Sequence, residues 1–391
     1  MTSPTTFPHE PPVPAEQAGV HPGRLARVIE RFRAQHADGR FHGGQLAVRR
    51  RGLAVACEAV GQARRAGDTA ASLATSIDTP FPVFSAGKPV VALAVAMLED
   101  RGQLDVQTPI ARYWPDFAQH DKGDITALDV LTHRGGVLMP ALCDAHETWP
   151  DWDHVRAAME ATRPSLPRGT LAYHPLEYGW ILAELVQRVT GEPFADWVGR
   201  EIAEPTGLPA LAFGAAGRDP AGFAHSYWLN TRPVYVAGRD VGAGFEEIYN
   251  SDGFYRALVP GGGLICDAAS LCALYDVFRT GAAASGARLL SADRMSAYTR
   301  CEVFGWDRSN KAPLAVGRGF LLGTTAMPSP YGWWNTAPCF GHPGGMCTVA
   351  FADPRLDLSV AIVTNGNRDR ADLVRRFAAL GHGLRRACLR G

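Results

Sequence analysis

Ser85 and Lys88 stand three residues apart in the stretch Phe84-Ser85-Ala86-Gly87-Lys88-Pro89. On a helix that spacing puts a hydroxyl and an amine on one face within mutual reach, the arrangement of a nucleophile and its base. Pro89 removes the backbone donor that would pair with the Ser85 carbonyl. Ser85 therefore belongs at the helix start, where free N–H groups and the positive end of the dipole stabilise developing negative charge. Phe84, Val90 and Val91 bury the amine, burial disfavours an ammonium, and Lys88 is expected to be neutral and able to take the serine proton. Composition sharpens the point. Of 39 basic residues only Lys88, Lys122 and Lys311 are lysines, in a chain that otherwise uses arginine, which cannot give up its proton.

The elements that must position this pair are legible from periodicity. Residues 89–101 are apolar on every side and stop at Gly102, the pattern of a helix buried through the middle of a protein. Before it, Leu25, Val28, Ile29 and Phe32 repeat at helical spacing, and residues 43–61 read as two strands turned at Arg51-Gly52. Residues 104–260 are mainly helical segments broken by Pro and Gly, among them 178–190, which ends at Gly191. A helix near 268–278 leads to strand-like runs at 301–306 and 316–322, a hairpin over 347–365 turned at Asp353-Pro354, and a closing helix over 370–380. The sheet is thus drawn from both ends of the chain. The expected class is α/β (α+β): an antiparallel sheet flanked by helices, with a large helical insertion. The expected division is a flexible or surface-draped, proline-rich arm over 1–20, a sheet domain over 21–103 and 261–391, and a helical domain over 104–260.

At this level the chain resembles the serine β-lactamase/penicillin-binding-protein superfamily, especially its class C-like esterases and transacylases. Ser85-Ala86-Gly87-Lys88 is similar to the family's S-x-x-K. Residues 81–115 (FPVFSAGKPVVALAVAMLEDRGQLDVQTPIARYWP) and 128–137 (LDVLTHRGGV) are similar to family segments in the same order and spacing. The resemblance aligns Tyr173-His174-Pro175 with the second motif, Y-x-N, and implies that Tyr173 is a second base sharing a proton with Lys88. Pro175 departs from that pattern, since proline offers no side-chain donor to a substrate amide. The Tyr-His start points to the esterase and transacylase branch, away from β-lactam hydrolysis. His342-Pro343-Gly344 looks like the third motif, K-T-G or H-x-G. It implies that His342, Gly344 and His174 line the substrate site, and that the Gly345 and Ser85 N–H groups form an oxyanion hole. Pro343 suggests that the start of this strand is an edge.

These expectations define a two-step acyl transfer through an acyl-enzyme on Ser85. The expected substrate is a small-molecule acyl donor, most simply an ester, with water or a metabolite amine or alcohol as acceptor; no cofactor is implied. A binding protein without catalysis on the same scaffold is a rival, but the serine, lysine and tyrosine are all present. A peptidoglycan D,D-peptidase would need export, and the first residues show no secretory signal, so a cytoplasmic protein is expected. Net charge is zero and no basic stripe suggests nucleic acid. No apolar run is long enough to span a bilayer. Eight cysteines without C-x-x-C spacing read as reduced, mostly buried thiols. His146, Asp151, Asp153 and His154 do not match a zinc-ligand pattern, so no metal is expected, and their segment is expected to wall the pocket. Trp333 and Trp334, just ahead of the third motif, are assigned the same substrate-facing role. His133 is read as a structural histidine holding a turn. The chain lacks the G-x-S-x-G elbow of α/β-hydrolases.

Overall fold

The structure, a computed structural model, describes residues 7–68 and 71–388. Its strands are β1 (Gly43–Arg50), β2 (Leu53–Arg64), β3 (Leu73–Ala74), β4 (Val303–Asp307), β5 (Ala312–Val316), β6 (Leu321–Leu322), β7 (Phe340–Gly344), β8 (Thr348–Asp353) and β9 (Leu358–Thr364). They join in one antiparallel sheet in the order β4-β5-β6-β7-β8-β9-β1-β2-β3, so both ends of the chain meet at the β1–β9 pair. Arg51 and Gly52 both take positive φ in the β1–β2 turn, which suits a tight hairpin.

The two faces follow from the period of two in the strands. Leu46 and Val48 of β1 join Phe351, Val360 and Ile362 beneath α1 (Pro22–Ala37) and the C-terminal helix, whereas Ala47, Ala350 and Ala361 face the other core. That second core holds α2 (Lys88–Asp100), in which every residue from Lys88 to Leu98 is buried, with α3 (Glu177–Thr190) and α4 (Ala268–Thr280) around it. A small sheet of Phe81–Pro82, Leu264–Cys266 and Ala212–Phe213 leads the chain into α2.

Two expectations need correction, and the arm takes its surface-draped form over residues 7–20, residues 1–6 lying outside the described residues. Ala15–Ala18 forms a 3-10 turn, Val20 bridges to Cys388, and Ala18 and Val20 are buried because the arm closes the end of the α1 layer. The run 316–322 is not one strand, because Gly317 and Gly319 turn the chain between β5 and β6 and are pressed against Tyr298 and Ala92. The last helix, α5 (Arg370–Ala387), continues past Leu380. Gly381 and Gly383 lie inside it and serve close packing: a Cβ at Gly381 would meet the Tyr331 carbonyl at 2.6 Å, and one at Gly383 would meet Val28 at the same distance. All eight cysteines are free, and no helix among the described residues is long and apolar enough to cross a membrane.

Candidate active site

Ser85 sits in a 3-10 turn, Phe84–Gly87, that runs directly into α2. Phe84 takes φ +51, a conformation that costs a non-glycine residue roughly 1–2 kcal/mol. Its ring is held by Phe245 at 5.7 Å and Tyr249 at 5.2 Å. A Cβ at Gly87 would meet Leu264 at 2.6 Å, and one at Gly344 would meet the Val83 carbonyl at 2.1 Å and the Ser85 nitrogen at 3.2 Å. Gly344 is therefore required by backbone contact between β7 and the serine turn, and Gly87 by the side chain of Leu264. Ser85 itself stays partly exposed.

Lys88 is fully buried and donates to Ser85 Oγ at 3.0 Å and to the carbonyls of Pro175 and Gly261 at 2.6 Å each. No carboxylate touches it, and burial brings its pKa down to about 7. As an ammonium it fills three acceptors. As a neutral amine it keeps both carbonyls and turns its lone pair to Ser85, which then donates. Losing the proton therefore breaks no hydrogen bond.

The Tyr173 ring lies 5.2 Å from the Lys88 amine and lines one cavity with Ser85; burial raises the phenol pKa well above its usual value. The turn that carries it is held almost entirely by side chains. Asp307, at the end of β4, accepts from the Tyr173 N–H at 2.8 Å, and His133 Nδ1 accepts from the His174 N–H at 3.2 Å. The Glu177 carboxylate takes the Leu176 N–H at 3.0 Å. His133 also packs its ring on Tyr173 at 4.6 Å, which assigns it the structural part. Pro175 contributes its carbonyl to Lys88, a use that side-chain chemistry alone does not reveal. Backbone acceptors such as the Pro175 and Gly261 carbonyls leave no signature in residue type.

His342, Gly344 and Gly345 line the same cavity as Ser85 and Tyr173. The His342 Nδ1 lies 2.6 Å from the Pro343 carbonyl, its Nε2 has no partner, and burial depresses its pKa to about 3, so it is neutral. β7 is interior in the sheet, contrary to the expected edge. Its neighbour β6 nevertheless pairs only as far as Gly341, and from His342 onward that side faces the cavity. Gly345 and Met346 follow at positive φ in a turn closed by the Cys347 N–H on the Gly344 carbonyl at 3.0 Å.

The cavity holds about 330 Å³ and is largely apolar, walled by Phe245, Leu322, Met327 and Met346, with Arg239 and Arg370 but no Asp or Glu among its lining residues. A hairpin of Tyr235–Val236 and Arg239–Asp240 forms one wall, pinned where Arg239 pairs with Asp144. Three sequence assignments fail. His174 is fully buried with both ring nitrogens unpartnered; it lies behind Tyr173, its ring stacked 5.7 Å from that of His133, because alternate residues of the turn point opposite ways. Trp333 and Trp334 do not line the cavity; Trp334 is 58% exposed and meets His382 of α5 edge-on, leaving Tyr331 and its neighbours to face inward. The segment 146–154 does not reach the cavity either, since Asp151 caps the helix Trp152–Ala161 and Asp153 pairs with Arg156.

The sequence profile of the Beta-lactamase family matches residues 25–383. The chain belongs to that family. It is 30% identical over 367 residues to the esterase/beta-lactamase LipL of Mycobacterium tuberculosis, a match covering 88% of this chain and 81% of LipL. The crystal structure of a penicillin-binding protein homologue from Caulobacter crescentus superposes with a TM-score of 0.80 at 28% identity, covering 94% of this chain and 99% of that one. A family VIII carboxylesterase shares the fold with a TM-score of 0.78 at 24% identity, covering 94% and 99%. This member of the Beta-lactamase family is a serine hydrolase.

Proposed function

We propose that this protein is a carboxylesterase that cleaves small, apolar, uncharged esters through an acyl-enzyme on Ser85. The carrying observation is the Lys88 amine, with pKa about 7, held 3.0 Å from Ser85 Oγ by two carbonyls. Lys88 takes the Ser85 proton as Oγ attacks the ester carbonyl. The Ser85 and Gly345 N–H groups receive the oxyanion, and Tyr173 hands a proton to the leaving alcohol. Water then attacks the acyl-enzyme with the same groups in reverse. The apolar cavity supports an ester with a hydrocarbon acyl or alcohol part, and its lack of acidic lining disfavours ammonium-bearing substrates. Pro175 gives its carbonyl to Lys88 and has no amide to offer, so β-lactams are expected to be poor substrates.

Intact mass after incubation with a fluorophosphonate, and turnover of p-nitrophenyl butyrate, test the reading. One adduct on Ser85, lost in Ser85→Ala together with turnover, is expected. An adduct that survives the substitution overturns the mechanism. Repeating turnover with a primary alcohol present separates hydrolysis from transfer: faster p-nitrophenol release with a new ester as product would assign the acceptor role to the alcohol.

A further inference from the structure

Glu177 opens α3 two residues after Pro175 and is 2% exposed. Its partners are all neutral: Oε1 accepts from the Met139 N–H at 2.8 Å and the Cys143 thiol at 3.5 Å, and Oε2 accepts from the Leu176 N–H. A carboxylate sealed from water with no cation in contact is costly, and the helix N-terminus offsets only part of that cost. The charge of Glu177 acts on Lys88, His174, Cys143 and Tyr173. Burial keeps the imidazole, thiol and phenol of the last three uncharged, which leaves Lys88 as the compensating cation.

The surroundings of Lys88 agree. Tyr178 packs its ring 5.8 Å from the amine, and burial keeps it protonated. His133 and His342 also face it, both held neutral by burial, and either would repel an ammonium if charged. Lys88 donates to the Pro175 carbonyl and Glu177 accepts from the Leu176 N–H, so the amine and the carboxylate bond opposite ends of the same Pro175–Leu176 peptide.

We propose that Glu177 is a positioning residue for proton transfer, its carboxylate stabilising the Lys88 ammonium created when Ser85 gives up its proton. This rests on the roles assigned above to Ser85 and Lys88. In that step the Ser85 O–H bond breaks, an N–H bond forms on Lys88, the Oγ–C bond forms, and the carbonyl electron pair moves to the oxyanion.

The test is the pH dependence of kcat/KM for p-nitrophenyl butyrate in Glu177→Gln and Glu177→Asp. Neutral Lys88 is the active form, so the rate rises with pH through the lysine pKa. Removing the anion lowers that pKa. Glu177→Gln is expected to move the ascending midpoint about one unit lower and to reduce the plateau about tenfold, while Glu177→Asp keeps the native midpoint. A Gln variant with a native or higher midpoint overturns the proposal and leaves Glu177 as a helix cap.

A thermal-denaturation cycle at pH 6 covers the case in which Glu177→Gln does not fold. In the Lys88→Met background the anion has lost its counter-charge, so the added Gln substitution is expected to raise Tm and the double variant to fold. A double variant as impaired as Glu177→Gln alone also overturns the proposal. If native protein takes no adduct on Ser85, the proposed function fails separately, because the thermal cycle still reads the charge pair.

Discussion

Two of the three lysines are sealed in the protein, and they do different things. Lys122 donates to the carbonyls of Gln119, Glu160 and Thr162 at 2.6–2.9 Å, and burial lowers its pKa to about 8. Lys88 donates to two carbonyls and one hydroxyl, with its pKa lowered to about 7. Neither touches a carboxylate. The third partner separates them. Three carbonyls can only accept, so a neutral Lys122 would turn its lone pair against an oxygen. A hydroxyl can reverse its hydrogen bond, so Lys88 tolerates either protonation state. Burial therefore makes a lysine titratable, and the reversible partner makes it a base. Lys311 is exposed in the β4–β5 turn.

The largest effect that could break this comparison is on turnover. Lys88→Arg, which stays charged, is expected to lower kcat at least a thousandfold with Tm little changed, while Lys122→Arg keeps kcat within about threefold. Equal losses in both would show that burial, not the partner set, matters. Next in size is stability. Lys122→Met leaves three carbonyls without a donor and should cost about 2–4 kcal/mol in urea unfolding, and Lys88→Met, which leaves two carbonyls without a donor and the Glu177 carboxylate without its counter-charge, should cost at least as much.

The pH dependence sharpens the contrast further. The pKa of Lys88 is about 7 in the folded state against 10.5 for the unperturbed amine. Between those values the unfolded chain binds the extra proton, so stability rises with pH over that window and is flat below it. Tm measured from pH 6 to 10 should rise less in Lys88→Met than in the native protein, and an equal rise would sink the assignment. The smallest effect is expected for Trp334→Ala, on the outer face of α5: kcat/KM for p-nitrophenyl butyrate should stay within about twofold. A tenfold loss would place Trp334 in the substrate path after all.

What one chain of residues determines by itself is local. Ser85 and Lys88 are three positions apart, so helix geometry alone brings them together. The all-apolar run of α2, the hairpin at Arg51-Gly52 and the Tyr173-His174-Pro175 turn are likewise written in spacing, composition and family resemblance. Tertiary structure decided what depends on contacts between distant segments. Gly381 and Gly383 lie inside α5, where Tyr331 and Val28 pack against them. His174 and Trp334 have the right chemistry for a substrate site, but neighbouring side chains alternate in direction, and only packing selects which of Tyr173 or His174, Tyr331 or Trp334, faces the cavity. The partners that tune Lys88 are backbone carbonyls and a buried carboxylate, brought from 87 and 173 positions away in the case of Pro175 and Gly261. A carbonyl is common to every residue, so its use as a lysine's partner is fixed by where the fold puts it and by nothing in the side chain that bears it.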